Sequence, residues 1–186
     1  MKTLVVFTEE ISAQYMLQSL LPRLLPVDMC FKCIAFEGKQ DLKKQLPIKL
    51  RGWMAPDTCF LVLCDQDNND CVSLKKELQG ICNPNRQDVL IRIVCRELEG
   101  WYFGDLGAVG DALNIDGLDA YQRKARYRNP DGIQNPATEL KRITSVQYQK
   151  VGSARQIGEC LRLDGSSSIS FQHFIDGVRR IMEINN

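Results

Sequence analysis

The chain has 186 residues, 24 Lys and Arg against 23 Asp and Glu, and a formal net charge of +1. One domain of ordinary size is expected, long enough to bury most of its surface, and the balanced charge gives no global electrostatic case for nucleic-acid binding. The absence of a long apolar stretch and of a charged-then-apolar leader argues against a membrane-spanning or secreted protein and for a cytoplasmic one.

Leu4 to Phe7 reads as the first strand, followed by a turn at Thr8-Glu9-Glu10. Ser12 is the candidate N-cap of a helix carrying Tyr15, Met16, Leu17, Leu20 and Leu21, which Pro22 and Pro26 close off. Cys30 to Phe36 is a second apolar run. After Glu37-Gly38-Lys39 comes a short helix with Leu42 and Leu46, reaching Leu50 if Pro47 kinks rather than ends it. Cys59 to Cys64 is continuously apolar, the pattern of a strand buried on both faces of a parallel sheet. Asp70 is placed to cap the next helix, with Val72, Leu74 and Leu78 as its apolar positions and Gly80 as its stop. Val89 to Cys95 gives a fourth strand and Glu97 to Leu113 a fourth helix. This alternation predicts an α/β core over residues 1–113, a parallel sheet of about four strands flanked by helices. From Asn114 to Pro136 the chain is polar and reads as an extended surface segment. Helices around Ala154 to Leu163 and from Ser170 to Met182 complete residues 114–186 as a helical C-terminal extension packed on the core.

The acids carry the chemistry. Asp65 and Asp67 follow the third strand, and side chains at i and i+2 of extended backbone point the same way. Ligands of open α/β sheets bind beyond the carboxyl ends of the strands, where this pair falls. Two carboxylates about 4 Å apart repel by roughly 4 kcal/mol at an effective dielectric near 20, so the pair favours a bound cation such as Mg²⁺. Glu9 joins them if the first and third strands are neighbours. As alternatives, Asp65 and Asp67 are turn-formers that end a strand, and Glu9 is an exposed turn residue. Glu97 and Glu99 sit where acids favour the positive end of a helix, and Glu97 also lies at the edge as an auxiliary ligand. Lys39 follows strand two at the same edge, as a phosphate contact or a solvated loop residue. Arg123, Lys124, Arg126 and Arg128, interleaved with Tyr121 and Tyr127, fit a grip on a nucleic-acid backbone or a solvated loop.

Other chemistries are disfavoured. The eight cysteines lie mostly in apolar runs and read as reduced core residues. Cys30 and Cys33 have no second Cys/His pair to complete a zinc site. His173 is the single histidine and has no nucleophile motif beside it. No Walker-type phosphate loop is present.

Four ordered blocks, Glu9-Glu10-Ile11-Ser12-Ala13, Phe36-Glu37-Gly38-Lys39, Asp65-Gln66-Asp67-Asn68-Asn69-Asp70-Cys71 and Cys95-Arg96-Glu97-Leu98-Glu99-Gly100-Trp101-Tyr102, resemble a TOPRIM-related bacterial family, domain of unknown function 4276. Lys150-Val151-Gly152-Ser153-Ala154-Arg155 and the helix from Phe171 to Arg180 are similar to its C-terminal part, so the resemblance covers nearly the whole chain. It implies a TOPRIM-like fold and phosphodiester work with Mg²⁺ (or Mn²⁺). Asp65 and Asp67 would hold the metal, and Glu9 would act as a general acid/base or a further ligand. Glu10 departs from the pattern, standing where related motifs often carry Gly. The expected function is a metal-dependent nuclease or related phosphoryl-transfer enzyme, with DNA ahead of RNA as substrate. A partner ATPase in a bacterial defence system follows by analogy. The alternative is a non-catalytic metal- or nucleotide-binding module with an interaction or regulatory role.

Overall fold

In the computed structural model, residues 2–86 and 88–184 are described. The strands are β1 (Thr3–Thr8), β2 (Cys30–Ala35), β3 (Thr58–Asp65) and β4 (Leu90–Val94), all parallel, in the order β2-β1-β3-β4. The chain steps outward from β1 to β2, then crosses back to the other side of β1 with β3. The switch point of the sheet therefore lies between β1 and β3, where loops leaving the two strands diverge and a crevice opens.

Alternation along the strands divides the core into two layers. Val5 and Phe7 of β1, with Phe60 and Val62 of β3, face α2 (Lys39–Gly52) and α3 (Cys71–Cys82) through Leu42, Leu46, Leu50, Leu74 and Leu78. Leu4, Val6, Leu61 and Leu63 face α1 (Ile11–Leu24) and the C-terminal half of the chain. That half comprises α4 (Glu99–Phe103), α5 (Leu106–Leu113), three short 3₁₀ turns between Leu118 and Gly132, α6 (Pro136–Ile143), α7 (Ala154–Cys160) and α8 (Ile169–Ile184). It belongs to the same core: Trp101 packs against Phe174 with ring centroids 4.9 Å apart and tilted by 38°, and its indole N–H donates to Ser170 Oγ at 2.7 Å. On α1, Arg23 Nη1 donates to the Gly158 and Leu161 carbonyls at 3.0 and 2.9 Å, tying down the end of α7. Gly158 lies against the Met16 carbonyl, leaving no room for a Cβ. No described helix is long and apolar enough to cross a membrane.

Several boundaries differ from the sequence expectation. α1 continues through Pro22 to Leu24, and α2 continues through Pro47 to Gly52, where burial of Leu50 (1% exposed) outweighs one missing helix hydrogen bond. Ser12 is inside the first turn of α1, whose N-cap is Glu10. α3 runs two residues past Gly80, and Val72 is exposed. The helix expected from Glu97 to Leu113 is two helices. Asp105 caps the second by accepting from Ala108 N at 3.3 Å, and Gly104 is crowded by Ser166 and the Trp101 carbonyl. Residues 114–136 are not an extended surface strip: Leu118, Tyr127, Pro130 and Ile133 are buried, and Tyr127 stacks on Phe103 at 5.0 Å. The eight-residue α6, which the sequence pattern did not suggest, buries Leu140 and Ile143.

Candidate metal centre

Glu9 is the first residue past β1, and its backbone N–H still reaches the Leu63 carbonyl of β3 at 3.2 Å. The side chain bends across the switch point. Its Oε2 accepts from Asp65 N at 3.0 Å and from the Cys64 thiol at 3.1 Å, so the ends of β1 and β3 fix one carboxylate. Asp65, the last residue of β3, turns inward, and its Oδ2 accepts from Leu98 N at 3.3 Å at the entrance to α4.

Asp67 does not continue the extended backbone on which the i, i+2 argument relies. It lies in the left-handed region at φ 52°, and its N–H donates to the Arg96 carbonyl at 2.8 Å. Gln66 and Arg96 stitch the β3 and β4 loops further, with Gln66 N to Val94 O at 2.9 Å and Arg96 N to Gln66 Oε1 at 3.2 Å. The two aspartates consequently diverge: Asp65 is buried, while Asp67 is half exposed and pairs with Lys39 Nζ at 2.6 Å. The same ammonium is 3.9 Å from Glu9 Oε2. Glu9, Asp65, Asp67 and Lys39 thus share one edge, with Lys39 between Glu9 and Asp67. A cavity of about 670 Å³ opens beside it, lined by Glu10, Ile11, Gln14, Phe36 and Glu37 among others.

Behind this edge lies a further layer of charged groups that the sequence pattern did not assign. Glu99 is fully buried; its Oε1 accepts from Tyr148 OH at 2.6 Å, and its Oε2 has no hydrogen-bond partner among the described residues. Tyr102 OH is likewise buried, with no hydrogen-bond partner among the described residues. Lys150 Nζ pairs with Glu10 Oε2 at 2.6 Å. Burial, followed by the charges of Glu99, Glu9 and Glu10, pushes the Asp65 carboxyl well up, against the pull of Lys150. Burial also raises Glu9, against the Cys64 hydrogen bond and Lys39, and raises Glu99, against Tyr148 and Lys150. For Lys39 and Lys150 burial acts downward, but their carboxylate neighbours outweigh it and both stay firmly protonated. The signal for Lys150 and Glu99 was present in the sequence, since both lie in blocks that carry the family resemblance. Which acid of Glu97-Leu98-Glu99 faces inward depends on the start of α4, which spacing does not specify.

Glu97 itself is engaged elsewhere: its Oε2 accepts from Ala137 N at 3.0 Å, capping α6. The cations of residues 121–128 also have local partners. Arg123 is 3.7 Å from Asp119, Arg126 is 2.6 Å from Glu139, Lys124 sits 3.6 Å over the Tyr121 ring, and Arg128 Nε donates to the Arg123 carbonyl at 3.3 Å.

Among the described residues, no group of three or more His, Cys, Asp or Glu stands ready at metal-ligand spacing. The donor set nevertheless suits a hard cation held by few protein ligands. Glu9, Asp65 and Asp67 each commit one oxygen internally, and the other accepts no hydrogen bond from the described residues. One or two such carboxylates, completed by water and phosphate oxygens, is the usual Mg²⁺ arrangement.

Sheet order and the helices flanking it give an α/β domain of TOPRIM-like fold. The fold is similar to the C-terminal region of the Burkholderia pseudomallei OLD protein, with a TM-score of 0.59 over 96% of this chain and 97% of that one; at 13% identity the likeness concerns the fold. The chain belongs to the family described as Domain of unknown function (DUF4276), which it matches over residues 8–179. No curated protein matches it.

Proposed function

We propose that the protein is a Mg²⁺-dependent TOPRIM-type nuclease, or a related phosphodiester-transfer enzyme, with DNA as substrate. The observation that carries this reading is the cross-strand lock at the switch point: Glu9, from β1, is held by the backbone and thiol at the end of β3, beside Asp65. Two acids from separate segments, buried together and each pushed toward protonation chiefly by that burial, with the charge of Glu9 also raising Asp65, form a site that a divalent cation would relieve. Asp65 and Asp67 would hold the ion, with Glu9 as a further ligand or general acid/base. The chemistry such an ion supplies is polarisation of the phosphate and activation of the attacking and leaving oxygens.

The chain's own groups have separable tasks. Leu98 N and Asp65 N orient the Asp65 and Glu9 carboxylates, fixing which oxygens face the mouth. Glu9, its affinity for a proton raised by burial, is suited to hold or pass one at its uncommitted Oε1. Lys39 and Lys150 add positive charge where phosphate oxygens would approach. A partner ATPase in a bacterial defence system belongs to the proposal by analogy with TOPRIM nucleases that act beside ATPases.

One observation favours the non-catalytic reading. Lys39 already bridges Asp67 and Glu9, as an internal cation would in a module that binds without turnover. Supercoiled plasmid incubated with Mg²⁺ or Mn²⁺, with and without an ATPase partner, separates the two. Nicking that disappears in Asp65→Ala and Asp67→Ala supports the enzyme; metal binding by the wild type without nicking refutes it.

A further inference from the structure

The two helices covering one face of the sheet, α2 and α3, contain seven Lys and Arg against two acids, Asp41 and Glu77. That is an excess of five in a chain of net charge +1, so the rest of the molecule is negative by four. Both acids are engaged. Asp41 Oδ2 accepts from Glu37 N at 3.2 Å, and Glu77 Oε1 pairs with Lys43 at 2.8 Å. Lys44, Lys49, Arg51 and Lys76 are exposed and form no salt bridge among the described residues; Arg51 reaches only the neutral Asn85. The buried stripes Leu42-Leu46-Leu50 and Leu74-Leu78-Cys82 leave Lys44, Arg51 and Lys76 on the outward faces of two helices that pack side by side.

This cationic face is continuous with the candidate site. Each helix follows its strand, so both begin at the carboxyl edge, and the first residue of α2 is Lys39. Fourteen residues of α2 extend about 21 Å, the axial length of roughly six base pairs. Clustered like charges without carboxylate partners repel one another until a polyanion neutralises them. The aromatic and basic run 121–128, the more conspicuous in sequence, has already closed on partners of its own.

We propose that the outward face of α2 and α3 docks the backbone of a nucleic acid and leads it past Lys39 to the acidic edge. This rests on the phosphodiester reading above. The test is binding of a fluorescent DNA duplex by anisotropy, in EDTA, over a series of salt concentrations. The exposed-cation variant Lys44→Ala/Lys49→Ala/Arg51→Ala/Lys76→Ala is compared with Arg123→Ala/Lys124→Ala/Arg128→Ala. The first should lower affinity at least tenfold and reduce the slope of log affinity against log salt by about 3–4, roughly 0.9 for each phosphate no longer neutralised. The second should leave the slope near that of the wild type. A wild-type slope in the first variant, a slope reduced in the second instead, or no duplex binding by the wild type overturns the docking face. Plasmid nicking by Asp65→Ala is scored on the same plasmid stock. If it abolishes nicking while the helix variant keeps its slope, the docking face falls and the enzyme reading stands. If nicking is unaffected by Asp65→Ala while the helix variant has the reduced slope, the docking face stands and the enzyme reading falls.

Discussion

Replacing Tyr148 by Phe deletes one oxygen from a fully buried ring, yet it should be among the more damaging conservative changes available. The deleted hydroxyl is the side-chain donor to Glu99 Oε1 at 2.6 Å, and Oε2 of the same carboxyl already lacks a hydrogen-bond partner among the described residues. A hydrogen bond to a charged group contributes about 1.5–3 kcal/mol, and an uncompensated buried charge costs about 3–5 kcal/mol. Glu99 can escape part of that cost by taking up a proton, so a loss of about 3 kcal/mol near pH 8 is expected. For a chain of this length that lowers Tm by about 6–12 °C. The pH dependence has a definite sign. Burial raises the Glu99 pKa and the Tyr148 hydrogen bond opposes it, so the variant raises it further. A carboxyl with a raised folded pKa contributes stability that is fully present below its unfolded pKa and is lost as pH rises through the folded one. The deficit of Tyr148→Phe should therefore shrink to about 1 kcal/mol near pH 5 and grow toward pH 8. Urea unfolding in EDTA at both pH values measures it, with Glu99→Gln as the background in which the pH dependence should vanish. An equal deficit at both pH values would show that Glu99 is not the group Tyr148 serves.

Mg²⁺ at roughly one hundred times its dissociation constant should stabilise the protein by about 2.7 kcal/mol, and Asp65→Asn should abolish the effect; a thermal scan in which both proteins respond alike would contradict the assignment of Asp65. Asp105, 1% exposed, accepts from Arg162 at 2.9 and 2.8 Å as well as capping α5, so Asp105→Ala should lower stability by about 3–5 kcal/mol in urea melts. Gly158→Ala forces a methyl against the Met16 carbonyl and should cost about 1–3 kcal/mol, with faster hydrogen exchange localised to α7. Glu97→Ala removes the acceptor for Ala137 N and should cost about 1 kcal/mol, with early exchange at the start of α6.

A parallel sheet of about four strands was legible from apolar runs alternating with helical stretches, and the adjacency of β1 and β3 that brings Glu9 to Asp65, only a condition in the sequence reading, is supplied by the strand order β2-β1-β3-β4. Two kinds of detail were not legible. Proline positions misled, since propensity carries no knowledge of how deeply Leu50 would be buried on the far side of Pro47. The direction of Asp67 escaped because a left-handed residue breaks the period-two rule, and nothing in Asp65-Gln66-Asp67 announces that the strand stops after its first member. The basic run near Arg126 was conspicuous for its density, whereas the cations of α2 and α3 are dispersed at helical spacing and become a surface only once the helices lie together.

The order in which the chain is synthesised gives the Tyr148 and Lys150 contacts a temporal meaning. Glu10, Asp65 and Glu99 leave the ribosome well before Tyr148, which donates to Glu99, and Lys150, which pairs with Glu10 and whose charge also favours ionised Asp65 and Glu99, so a nascent polypeptide holds three acids around an unfinished interior. Closure of the acidic edge is therefore expected to come late in maturation, and a translational pause before residue 148 to prolong the vulnerable interval.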